Sequence, residues 1–111
     1  MTDYSVDGRA IGRQQLLQLL RDACANASAL CERPPVSEAL WQDRARNAIR
    51  SCRMLHRGLV NSHPQSADEL HILSTEIQIA LAAQSHRALF AERLQRIRRR
   101  VFRLQQSRID S

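Results

Sequence analysis

Apolar residues recur along this chain at alternating four- and three-residue intervals, the spacing that places side chains on one face of an α-helix. Between residues 9 and 32 the stripe runs Leu16, Leu20, Ala23, Ala27 and Leu30, widened on one side by Leu17, Cys24 and Cys31. A first amphipathic helix is predicted there. Pro34-Pro35 ends it, because proline supplies no backbone N–H and drives the residue before it out of the helical region. Ser37 is suited to cap the next helix, with Val36 folding over Trp41 as a hydrophobic staple. That second helix is expected over 37–58, on a stripe of Trp41, Ala45, Ala48, Cys52 and Leu55 that reaches Leu59.

Gly58 and Asn61-Ser62-His63-Pro64 suit a helix end and a turn. Ser66-Ala67-Asp68-Glu69 then has the pattern of a capping box, in which the serine and the glutamate satisfy each other's backbone N–H groups. From Ala67 to Ser111 there is neither glycine nor proline, so residues 66–108 read as a long C-terminal helical segment. Its apolar stripe changes face on the way. It starts as Leu70, Leu73, Ile77 and Ala80 and restarts as Phe90, Leu94, Ile97, Val101 and Leu104. The rotation within 82–86 means either a kink or one helix roughly 60 Å long, at about 1.5 Å per residue. Residues 1–8 are polar and read as a flexible arm. The expected architecture is all-α: a single domain of three or four helices forming a bundle.

Length and composition narrow the class without changing this picture. At 111 residues the chain fits one domain, and 3 Gly with 3 Pro are too few turn residues for a sandwich or barrel. Aromatic residues at 4% argue against a platform that stacks single-stranded bases. No run of apolar residues reaches membrane-spanning length, the start lacks a secretory pattern, and the three cysteines are odd in number. A cytoplasmic setting with reduced, core-packed thiols is expected.

Charge is unevenly distributed. All 17 basic residues are arginine, against 11 acids, for a net charge of +6. Seven arginines and no acid lie between Arg93 and Arg108, so the positive excess sits in that segment. With Leu94 and Val101 at heptad position a and Ile97 and Leu104 at d, Arg93, Arg98 and Arg100 flank the seam. Parallel self-pairing would set these arginines against one another, at a few tenths of a kcal/mol per pair. An acidic partner, or antiparallel packing on a less basic stretch, would relieve that repulsion. Phe90, Leu94, Ile97, Val101 and Leu104 are therefore the candidate interface, between subunits or with a partner, with Arg93, Arg98 and Arg100 as electrostatic contacts. Apolar burial would supply most of the affinity and the arginines mainly on-rate and orientation. Such stripes on slender rods are expected to be covered by a second polypeptide.

Candidate chemistry is sparse. Apart from Cys52 and His56, the histidines His56, His63, His71 and His86 and the three cysteines contain no pair at the two-to-four-residue spacing of structural zinc sites. No glycine-rich loop is present to hold a phosphate, and no cofactor is expected. Cys52 and His56 are four apart, but Cys52 lies in the apolar stripe and reads as a core thiol. Arg50, followed by five residues and His56, resembles the short Arg-to-His motif of the HEPN class of helical ribonucleases, which implies paired Arg and His side chains acting on RNA in a dimer. Arg46, Arg50, Arg53 and Arg57, spaced four, three and four, form a second basic face. Together with the C-terminal arginines it fits sequence-independent contact with nucleic-acid phosphates. A base-reading element such as a helix-turn-helix is absent.

The short arm, the small helices and the capped hairpin over 40–90 resemble the small all-helical anti-activators of bacterial quorum sensing, the QslA and TraM type. The stretches concerned are Ala45-Arg46-Asn47-Ala48-Ile49-Arg50-Ser51-Cys52-Arg53-Met54-Leu55 and Leu70-His71-Ile72-Leu73-Ser74-Thr75-Glu76-Ile77-Gln78-Ile79-Ala80. The resemblance implies a homodimer without catalytic activity that binds a LuxR-type transcription regulator and keeps it from DNA. An arginine-rich C-terminal extension departs from the TraM pattern.

Overall fold

The computed structural model describes residues 4–32 and 37–107. Four helices follow a small hairpin: β1 Tyr4–Val6, β2 Arg9–Ile11, α1 Arg13–Ala29, α2 Glu38–Leu59, α3 Pro64–Ala82 and α4 Arg87–Gln106. Each helix packs on two others in the cyclic order α1–α2–α3–α4–α1, so the chain is an all-α four-helix bundle. Its principal extents are 47 × 22 × 19 Å.

Residues 4–8, part of the expected arm, and residues 9–11, expected to open the first helix, form a hairpin instead. β1 and β2 pair antiparallel, with Tyr4 opposite Ile11 and Val6 opposite Arg9. Asp7 and Gly8 form the turn with φ of 53° and 78°, and both angles lie in the left-handed region that a two-residue hairpin turn demands. Val6 and Ile11 are buried, so the hairpin caps one end of the core. Gly58 permits the contact: a Cβ there would lie 2.7 Å from the Ser5 carbonyl oxygen and 2.9 Å from Val6 Cγ2. Because residues 9–11 belong to a strand, α1 starts only after Gly12, whose ψ of 171° is extended.

Ser37 caps α2 by accepting the Leu40 N–H at 3.2 Å. Pro34, Pro35 and the proposed Val36 staple lie outside the described residues. α3 begins earlier than a capping box at Ser66 would place it. Pro64 occupies the first turn, where its missing N–H loses nothing. Ser66 is buried and donates to Ser107 Oγ at 3.2 Å, and Glu69 pairs with Arg100 at 3.7 Å, so neither side chain closes a box.

The long C-terminal helix is divided. Ala83 to His86 make a turn in which the His86 N–H bonds the Ala83 carbonyl at 2.9 Å, and His86 adopts extended angles before α4. Neither glycine nor proline is needed. The break lies where the apolar stripe changes face, and reversing the chain lets both stripes enter one core. Leu70, Leu73 and Ile77 of α3 and Ile97 of α4 are fully buried beside Leu16 and Leu30 of the α1 side and Leu55 and Leu59 of α2.

Candidate functional site

The stripe from Phe90 to Leu104 turns inward. Ile97 has 0% of its surface exposed, and Val101 and Leu104 are buried with it. Leu94 is half-buried against the core, and Phe90 meets Trp41 edge-on with ring centroids 4.9 Å apart. Ile97, Val101 and Leu104 are thus covered by the chain's own bundle and do not form an exposed interface, whereas Phe90 and Leu94 are only partly buried and border an open groove with Leu30 and Trp41. The cause is the reversal at Ala83–His86, which folds α4 back onto α1 and α3.

Two of the three flanking arginines are likewise engaged within the chain. Arg98 donates from Nη2 to the Cys31 carbonyl at 2.6 Å, satisfying an acceptor just beyond the end of α1. Arg100 pairs with Glu69 across to α3. The Nε of Arg93 is buried without a hydrogen-bond partner. On the outer side of α4, Arg87, Arg96, Arg99 and Arg103 are exposed. Arg108 lies outside the described residues.

The arginines of α2 behave differently. Residues 46, 50, 53 and 57 fall on one side of the helix, away from its buried face of Ala45, Ala48, Cys52, Leu55 and Leu59. All four side chains are exposed, in a row about 16 Å long at 1.5 Å of rise per residue. With Ile49 they border an open groove of about 520 Å³ whose far wall is Gln78 and Leu81 of α3. Arg46 has an exposed ion pair with Asp43 at 3.7 Å, a contact of little energetic weight. Among the described residues, Arg50, Arg53 and Arg57 have no carboxylate within ion-pair distance.

His56 does not join Arg50. Six residues of α-helix set the two about 120° apart around the axis, and the His56 ring faces α3 instead. Its Nδ1 lies 2.8 Å from the Ala67 carbonyl oxygen, and its centroid is 5.5 Å from that of His71. No sequence spacing marks this histidine pair, because it depends on the α2–α3 pairing.

The thiols are buried. Desolvation pushes Cys52 up to about 12 and Cys31 up to about 11, and raises Cys24. Near neutral pH they are protonated and poorly nucleophilic. Among the described residues, no three His, Cys, Asp or Glu side chains gather as metal ligands. No described helix is long and apolar enough to cross a membrane. Comparison with protein-family models, with curated proteins and with solved structures finds no match.

Proposed function

We propose that the chain binds the phosphate backbone of nucleic acid through Arg46, Arg50, Arg53 and Arg57, without reading base sequence. One observation carries this reading: a row of exposed guanidinium groups beside an open groove, three of them without a carboxylate partner. Successive arginines are separated by about 4.5 to 6 Å of helix rise, so adjacent groups can engage neighbouring phosphates. Sequence-independent affinity of this kind arises from counterion release and falls as salt rises.

The test is fluorescence anisotropy of labelled random duplex and RNA between about 50 and 200 mM salt, where each phosphate contact contributes about 0.9 to the slope of log K against log salt on a duplex. Replacing Arg50, Arg53 and Arg57 together by Gln is expected to lower that slope by about 2 to 3 while the fold is retained. An unchanged slope and affinity in the triple variant would overturn the reading.

A second reading is the one the family resemblance implies, an anti-activator that holds a LuxR-type regulator. It is favoured by Leu40 and Leu89, each 40% exposed and adjacent in sequence to the Trp41–Phe90 ring contact at one end of the bundle. In that case the chain alone shifts no DNA but abolishes the regulator's shift, and Leu40→Ser with Leu89→Ser restores it.

A further inference from the structure

The His56–His71 pair belongs to the same α2–α3 seam as the arginine row. Arg53 and Arg57 straddle His56 in sequence on α2, at i−3 and i+1. On α3, His71 is seven residues before Gln78, which lines the groove, so the two share a helix face. The ring centroids stand 5.5 Å apart with planes tilted by 41°. His71 is exposed and His56 half-buried. The Nδ1–H of His56 donates to the Ala67 carbonyl, which fixes the neutral ring as the tautomer with its lone pair on Nε2. Among the described residues that Nε2 makes no hydrogen bond, and it is not a buried, unsatisfied atom. An oriented imidazole with an open nitrogen, a second imidazole in contact and guanidinium groups alongside are the elements of acid–base chemistry on a phosphodiester.

We propose that this pair cleaves RNA without a metal ion. The inference rests on the reading of the arginine row as a phosphate-binding surface. Neutral His56 takes the proton of a ribose 2′-hydroxyl through Nε2, and the 2′-oxygen attacks the adjacent phosphorus. A new P–O2′ bond forms as the P–O5′ bond breaks. His71, as imidazolium, gives its proton to the departing O5′. The products are a 2′,3′-cyclic phosphate and a 5′-hydroxyl, and the two histidines end with their protonation states exchanged. Arg53 and Arg57 offset negative charge on the non-bridging oxygens. On α3, Asp68 lies one turn before His71, and Glu69, two residues before it, pairs with Arg100 of α4. DNA, lacking the 2′-hydroxyl, is bound but not cut.

The test uses the full chain with a chelator and a labelled oligodeoxynucleotide carrying a single ribonucleotide, under single-turnover conditions at saturating protein. One cut 3′ of the ribonucleotide is expected, leaving the cyclic phosphate. The all-DNA and 2′-O-methyl versions stay intact. His71→Gln, on an exposed side chain, and His56→Asn, whose amide can still donate to the Ala67 carbonyl, should each slow cleavage about 100-fold or more. RNA bound with salt-dependent affinity yet left intact, or cut equally by His71→Gln, overturns the cleavage proposal and leaves backbone binding standing. If RNA is neither bound nor cut, both fall.

Discussion

Arg98 on α4 holds the carbonyl of Cys31, just past the end of α1, through a 2.6 Å hydrogen bond from its guanidinium. The last carbonyls of a helix lack intrahelical donors, and a cation near them also meets the negative end of the helix dipole. Cys31 itself donates from Sγ to the Leu94 carbonyl at 3.4 Å, so the two helices are joined by reciprocal polar contacts. Arg98→Met keeps most of the apolar stem but removes the donor. It is expected to lower unfolding stability by about 1.5 to 3 kcal/mol, the range of a hydrogen bond to a charged group. A urea melt should show a reduced midpoint with an unchanged m-value.

The helical class was legible because its signals are local. Ser37 followed by a four-three stripe marks α2, and its bounds need no knowledge of the other helices. The hairpin leaves only its Asp7-Gly8 turn as a trace in the sequence, because strands of three residues leave no periodicity to read. The break between α3 and α4 shows in the sequence only as a change of face near Ala82–His86. What the sequence could not reveal is what covers each stripe. Phe90 to Leu104 has the spacing of an interface, and the same spacing serves a helix that folds back on its own chain. The arginine row on α2 was readable as a row, whereas the α3 wall of its groove and the His56–His71 contact arise from tertiary pairing.

Gly58 supplies a prediction whose sign is opposite to helix propensity. In an exposed helix interior, Gly→Ala stabilises by about 1 kcal/mol. At Gly58 the added methyl would meet the Ser5 backbone oxygen at 2.7 Å and Val6 Cγ2 at 2.9 Å. Backbone cannot give way as a side-chain tip can, so the hairpin must move off α2. Gly58→Ala is expected to destabilise by about 1 to 3 kcal/mol, the usual range for overpacking. Adding Val6→Ala relieves only the side-chain part of the clash, so the double variant should stay below Val6→Ala alone in a urea melt.

The thiols set an alkaline limit. Burial raises Cys52 to about 12 and Cys31 to about 11 from an ordinary value of 9.0, whereas the unfolded chain ionises at the ordinary value. The folded state therefore binds more protons than the unfolded state above pH 9, and stability falls with rising pH there. The contribution is complete below about pH 9 and is lost progressively as pH climbs through the folded-state values. Cys52→Ala should flatten part of this decline, whatever its effect at neutral pH. Urea melts at intervals from pH 7 to 11 measure the slope. In the folded protein all three cysteines should react slowly with a thiol reagent at neutral pH, and fast in denaturant.

Where the α4 stripe is covered can be decided by concentration. If Ile97 were buried between subunits, its truncation would weaken association, and the loss of stability would depend on protein concentration. Ile97 is instead fully buried within one chain, while Phe102, five residues further along the same helix, is 59% exposed. Ile97→Ala is thus expected to lower stability by about 2 to 5 kcal/mol, the transfer and cavity cost of a core residue. Phe102→Ala should stay within about 0.5 kcal/mol of the parent, as surface substitutions do. The Ile97→Ala loss should be the same across about a hundredfold range of protein concentration, because folding of a single chain is a unimolecular equilibrium. A midpoint that climbs with concentration in the parent and not in Ile97→Ala would return this residue to a subunit interface.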